Sequence, residues 1–93
     1  AGAPVAGVRL AGPFPQPSAA STTLRLIAPP ESAFHVDVFD ASGRFVQSLP
    51  EGRMGAQGET VIALDTSRWA AGLYLVSARS GGGKATRQLV VAR

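Results

Sequence analysis

The chain has 93 residues, no cysteine, no asparagine and a net charge of +3. That length fits one domain and not two; a hydrophobic fraction of 45% with 16% charged residues excludes a disordered chain. The missing cysteines exclude a disulfide scaffold and a thiolate zinc site, and the missing asparagine excludes an N-glycosylation acceptor.

Ala1 to Gly7 is rich in Ala, Gly and Pro and reads as the end of a linker, with the domain running from Val8 to Arg93. Ala1 in place of Met suggests a module cut from a longer protein, with any export signal upstream. No run approaches the ~18 apolar residues of a membrane helix. Val8-Arg9-Leu10 is a short first strand. Three prolines in Gly12-Pro13-Phe14-Pro15-Gln16-Pro17-Ser18 fix φ and remove donors, which predicts a rigid extended crossing and excludes a central strand.

Thr22 to Ile27 alternates, with Leu24 and Leu26 on one face. Phe34 to Phe39 is the clearest strand: Phe34, Val36 and Val38 line one side, and His35 and Asp37 the other. Asp40-Ala41-Ser42-Gly43 suits a hairpin, because Asp accepts from backbone donors further along the turn and Gly accepts positive φ. Arg44 to Leu49 is the return strand, and Pro50 to Gly58 a flexible loop. Glu59 to Leu64 is a strand with Val61 and Ala63 opposite Ile62 and Leu64. Asp65 to Gly72 predicts a single helical turn, capped by Asp65 and stopped by Gly72. Gly72 to Val76 and Thr86 to Arg93 are the last two strands, joined by a turn through Gly81-Gly82-Gly83. About seven short strands with regular turn signals and no amphipathic helix predict an all-β, immunoglobulin-like antiparallel sandwich.

The charge is unevenly placed. Up to Asp65 six acids face four arginines; beyond it Arg68, Arg79, Lys84, Arg87 and Arg93 meet no acid. Such a positive end suits an anionic partner, and equally a strand edge defended by long cationic side chains. The basic residues are not interleaved with stacking aromatics, so nucleic acid is not the expected partner.

Residues capable of catalysis are sparse. His35 lies on the same strand face as Asp37, roughly 7 Å along the chain, without a Gly-x-Ser-x-Gly nucleophile elbow. One histidine supplies too few ligands for zinc, and no Asp-rich loop suits calcium. Gly81-Gly82-Gly83-Lys84 lacks the spacing and following helix of a phosphate loop. Neither an enzyme nor a cofactor is expected. Trp69, Tyr74 and Phe14 are candidate sugar-stacking rings, with Trp69 at an exposed turn. Packing of these rings in the core or at an edge is the favoured reading.

The order of motifs resembles a known family. A proline-rich lead-in with Phe14 is followed by Ser21 to Leu26, by Val36-Asp37-Val38-Phe39-Asp40-Ala41-Ser42-Gly43-Arg44-Phe45-Val46, by Asp65-Thr66-Ser67, by Ala71-Gly72-Leu73-Tyr74-Leu75-Val76, and by the basic-apolar ending from Lys84 to Arg93. Together they resemble the type A C-terminal sorting domain of the type IX secretion system of Bacteroidota. Where the family shows Pro-Asn-Pro, this chain has Pro15-Gln16-Pro17, and terminal lysines of the family are replaced by Arg87 and Arg93.

The resemblance implies a non-catalytic address that takes a secreted protein through the periplasm and outer membrane to the cell surface or medium. It implies as partners the outer-membrane translocon and a sortase-like peptidase, with cleavage of the module and attachment of the cargo to lipopolysaccharide, and it implies a monomer. It also assigns Gly43, Gly72, Tyr74, Arg87, Leu89, Val90, Val91 and Arg93 to the recognised surface. A carbohydrate-binding module or a passive spacer on a secreted glycoside hydrolase remains the alternative.

Overall fold

The computed structural model describes residues 8–14, 20–80 and 83–92. The expected linker, residues 1–7, lies outside them, as do Gly81, Gly82 and Arg93. Eight strands follow in chain order: β1 (Arg9–Phe14), β2 (Ser21–Ile27), β3 (Ala33–Asp40), β4 (Phe45–Ser48), β5 (Gly52–Arg53), β6 (Glu59–Asp65), β7 (Gly72–Ser80) and β8 (Gly83–Val91).

Every pairing is antiparallel. The first sheet runs β1-β2-β6, and the second runs β4-β3-β7-β8 with β5 also paired to β3. The two layers form the expected immunoglobulin-like sandwich. The period-2 pattern explains why. In β2 Thr22, Leu24 and Leu26 are buried, while Ser21, Thr23 and Arg25 are exposed. In β3 Val36 and Val38 turn inward, and in β7 Tyr74, Val76 and Ala78 do so. These side chains meet Leu10, Ile62, Leu64, Leu89 and Val91 in one core. A slip of one residue would move each apolar set to the wrong face, so burial fixes the register.

The structure corrects four sequence-based expectations. First, eight strands replace about seven, because Gly52 and Arg53 inside the expected loop pair with Phe34 and Ala33. Second, β1 enters the proline lead-in as far as Phe14; residues 15–18 of the expected crossing lie outside the described residues. Its ladder shifts register between Ala11 and Phe14, where Pro13 has no N–H to donate. β1 pairs with β2 alone, and an edge strand tolerates such a break. Third, Asp65 to Gly72 is not helical. The Trp69 N–H donates to the Thr66 carbonyl at 3.0 Å, closing a tight turn. The Asp65 carboxylate accepts from the Ser67 N–H at 3.0 Å and its hydroxyl at 2.6 Å, so it caps that turn. Fourth, β7 runs on to Ser80 and β8 begins at Gly83, where strands over 72–76 and from Thr86 were expected. Trp69 is half-buried and packs on the core, in line with the packing reading of the rings.

Candidate functional site

Six of the eight residues assigned to recognition gather at one end of the second sheet, although 48 positions separate Gly43 from Val91. Asp40 lies opposite Tyr74, and Tyr74 opposite Leu89. One step further out, Leu73 faces Val90 and Gly72 faces Val91. The β3–β4 hairpin that carries Gly43 turns beyond Asp40 at this same end.

The hairpin is set by Asp40. Its Oδ1 accepts from the Ser42 hydroxyl at 2.6 Å, the Ser42 N–H at 2.9 Å and the Arg44 N–H at 3.0 Å. The Ser42 hydroxyl and the Arg44 N–H favour the charged form and hold the carboxyl below its ordinary range. Gly43 closes the loop at φ +88, and its N–H donates to the Asp40 carbonyl at 2.9 Å. A residue with Cβ is strained at that φ. Gly72 enters β7 at φ +150, again a conformation for glycine.

Tyr74 is buried, and its hydroxyl donates to the Ala70 carbonyl at 2.6 Å. This bond pins the 66–70 turn against the start of β7, as tyrosines do at the corners of immunoglobulin-like sandwiches. Trp69 packs beside it, with ring centroids 4.9 Å apart and planes tilted by 41°. Phe14 stands elsewhere, on the outer face of the first sheet beside Val61 and Thr23. The three aromatic rings do not form one stacking platform.

In β8 the apolar residues divide by face. Leu89 and Val91 are sealed in the core, at 0% and 2% exposure, and Val90 is 40% exposed. Arg87 points toward the first sheet, where its Nε donates to the Gly12 carbonyl at 3.0 Å. That carbonyl lies at the Pro13 break in β1, so Arg87 fastens the two edge strands of the sandwich together. Tyr74, Leu89 and Val91 therefore shape this end from inside. The outward surface is apolar: Val90 and Leu73 sit abreast, next to the row Leu75, Phe39 and Phe45. Phe39 and Phe45 meet edge to face at 6.1 Å and 76°. The signal for this surface was available in the alternation of β7 and β8, where positions 73, 75 and 90 fall on the outer face.

The opposite end of the sheet brings Ser48, His35 and Asp37 together. In a hydrolytic triad the nucleophile and the carboxylate bond to different imidazole nitrogens. Here the Asp37 Oδ1 and the Ser48 Oγ both lie against Nε2, at 3.2 and 3.4 Å. The Ser48 hydroxyl donates to Asp37 at 2.8 Å. The hydroxyl has no path through the ring to the carboxylate, so this arrangement has no proton relay.

The profile of a family described as the secretion system C-terminal sorting domain matches residues 13–92. The chain belongs to that family. This sorting domain is the type IX secretion address, which directs a protein to the cell surface or medium, and its family is non-catalytic. Among solved structures, dimeric latent PorU from Porphyromonas gingivalis aligns with a TM-score of 0.66 at 23% identity. The alignment covers 91% of the sorting domain and 9% of the PorU chain. CopC from Methylosinus trichosporium OB3b aligns with a TM-score of 0.60 at 20% identity, over 90% of this chain and 92% of that one. An immunoglobulin-like DUF3244 protein from Bacteroides vulgatus gives 0.52 at 17% identity, over 91% and 96%. These likenesses show a shared fold. No protein of curated function matches the sequence.

Proposed function

We propose that the sorting domain docks on the outer-membrane type IX translocon through the end of the second sheet that carries Gly43, Gly72, Leu73 and Val90. The family match over residues 13–92 carries this reading. The gathering of six of the assigned residues at one end of the sheet, under the apolar surface of Leu73 and Val90, supports its finer part. In this scheme the two glycines and the Tyr74 bond hold the shape. Leu89 and Val91 lock the strand in register, Arg87 ties it to the first sheet, and Val90 with Leu73 makes the contact. The domain spans residues 8–93 and acts as a monomer, with residues 1–7 serving as the link to the cargo. A sortase-like peptidase then removes it, and the cargo is released or joined to lipopolysaccharide.

A reporter fused ahead of the domain in a type IX host tests this. The wild-type fusion is expected in the medium or at the surface, and a fusion lacking residues 88–93 in the periplasm. Because that truncation also removes core residues, the decisive variant is Leu73→Ser with Val90→Ser. Both positions are exposed, so the domain stays folded while export falls. Full export of this double variant excludes docking at this face.

A further inference from the structure

The end of the second sheet away from the recognition surface carries a row of basic side chains. His35 on β3 lies directly opposite Arg79 on β7, and Arg79 directly opposite Lys84 on β8. All three take outward positions, since Phe34, Val36, Ala78 and Ser80 on the same strands turn inward. Neighbouring strands are ~4.8 Å apart, so the row spans roughly 10 Å. Like charges facing each other across a ladder weaken a sheet. The abreast pair of Arg79 and Lys84 therefore does not serve the stability of the fold.

Asp37 offsets the row on one side only. It reaches the His35 Nε2 at 3.2 Å and one Arg79 Nη at 3.5 Å. The Arg79 side chain remains 57% exposed, and the other N–H donors of its planar fork have no acceptor among the described residues. The Lys84 side chain has neither an ion pair nor a hydrogen bond among the described residues. These donors open into a depression of about 600 Å³ whose rim also includes Phe34 and Glu51.

We propose that this depression binds a phosphate monoester on a hydroxylated carrier, a site independent of the sorting reading. The Lys84 ammonium and the side of the Arg79 fork that Asp37 leaves open offer donors to one anionic group, and the oxygens of a tetrahedral phosphate reach both at once. The guanidinium fork offers parallel donors, and the ammonium a point charge. Glu51 on the rim repels a second anionic group and accepts hydrogen bonds from hydroxyls. The fitting ligand thus carries one phosphate and a hydroxyl-bearing body. A phosphorylated sugar and a lipid headgroup share this chemistry.

The test is amide chemical-shift titration of the 93-residue chain. Its arms are glucose 6-phosphate, inorganic phosphate, glucose, and phosphatidylcholine vesicles with and without phosphatidic acid. Saturable shifts centred on Ser80, Gly83 and Lys84 with glucose 6-phosphate are expected, larger than with inorganic phosphate and absent with glucose. Lys84→Ala should weaken this binding about tenfold, the loss of one charge-assisted hydrogen bond, without touching the fold. Arg79→Ala should do the same, and Arg9→Ala, on the first sheet, should not. Saturable binding to phosphatidic acid vesicles alone, with the same dependence on Lys84 and Arg79, assigns the site to a lipid source. Non-saturating shifts, equal response to glucose, or unchanged affinity in Lys84→Ala would overturn the proposal.

Discussion

Replacing Leu89 with alanine measures what the last described strand contributes to the fold, and it separates that role from recognition. The Leu89 side chain is 0% exposed and belongs to the core shared by both sheets. Truncation to alanine removes three carbons, which at ~0.8 kcal/mol each gives about 2.4 kcal/mol of lost transfer energy. The cavity left between the layers raises the cost to about 3–4 kcal/mol. A domain of 93 residues has a total stability of roughly 5–14 kcal/mol. The melting temperature should therefore fall by about 12–32 °C, at roughly 4–8 °C per kcal/mol. Val90→Ala is the matched control. Val90 is 40% exposed on the opposite face, and its truncation should cost no more than about 1 kcal/mol. Thermal denaturation followed by circular dichroism reads both. The export assay then reads them in reverse order: at a temperature where both variants are folded, the Val90 change should impair export more. Equal melting temperatures for the two variants would mean that β8 does not sit in the register described, and the reasoning from burial would fail.

Two further outcomes follow from the turns. Asp40 and Asp65 both have pKa values lowered below 3.8 by hydrogen bonds from the serine two residues on and, for Asp40, from the Arg44 N–H. A carboxyl whose pKa is depressed in the folded state stabilises the fold at pH above its unfolded value, and that contribution disappears as the pH falls through the folded value. Acid unfolding should therefore steepen below the ordinary carboxylate range, and the double variant Asp40→Asn, Asp65→Asn should show a flatter acid limb; identical acid limbs would refute the assignment. Tyr74→Phe removes the bond to the Ala70 carbonyl while keeping the ring beside Trp69. A loss of about 1–2 kcal/mol, or roughly 4–16 °C, is expected with unchanged tryptophan emission. A stability equal to wild type would show that the corner bond contributes nothing.

The sequence by itself determined the class of fold, most of the strands and the family. Alternation over Thr22–Leu26 and Phe34–Val38 gives a period of two, the short apolar run Val61–Leu64 stands between turn signals, and Asp40 to Gly43 chooses its turn by local hydrogen bonding. Such signals are short-range, so a single chain displays them. The motif order from Phe14 to Val91 likewise needs no coordinates. What the tertiary structure decided was every relation between segments far apart. Pro13 looked like the end of a strand because its own N–H is missing, and β1 continues past it because the edge position asks for no ladder there. Trp69 sits in a polar turn, and the Tyr74 corner decides which part of the core its ring covers. Arg87 looked like part of a charged edge, and a carbonyl 75 positions away gave it a structural partner. The gathering of Gly43, Gly72 and Val90 at one end, and of His35, Arg79 and Lys84 at the other, depends on the pairing of β3 with β7 and of β7 with β8. Pairing across long separations is fixed by the burial of whole faces against each other, and a linear pattern does not contain it.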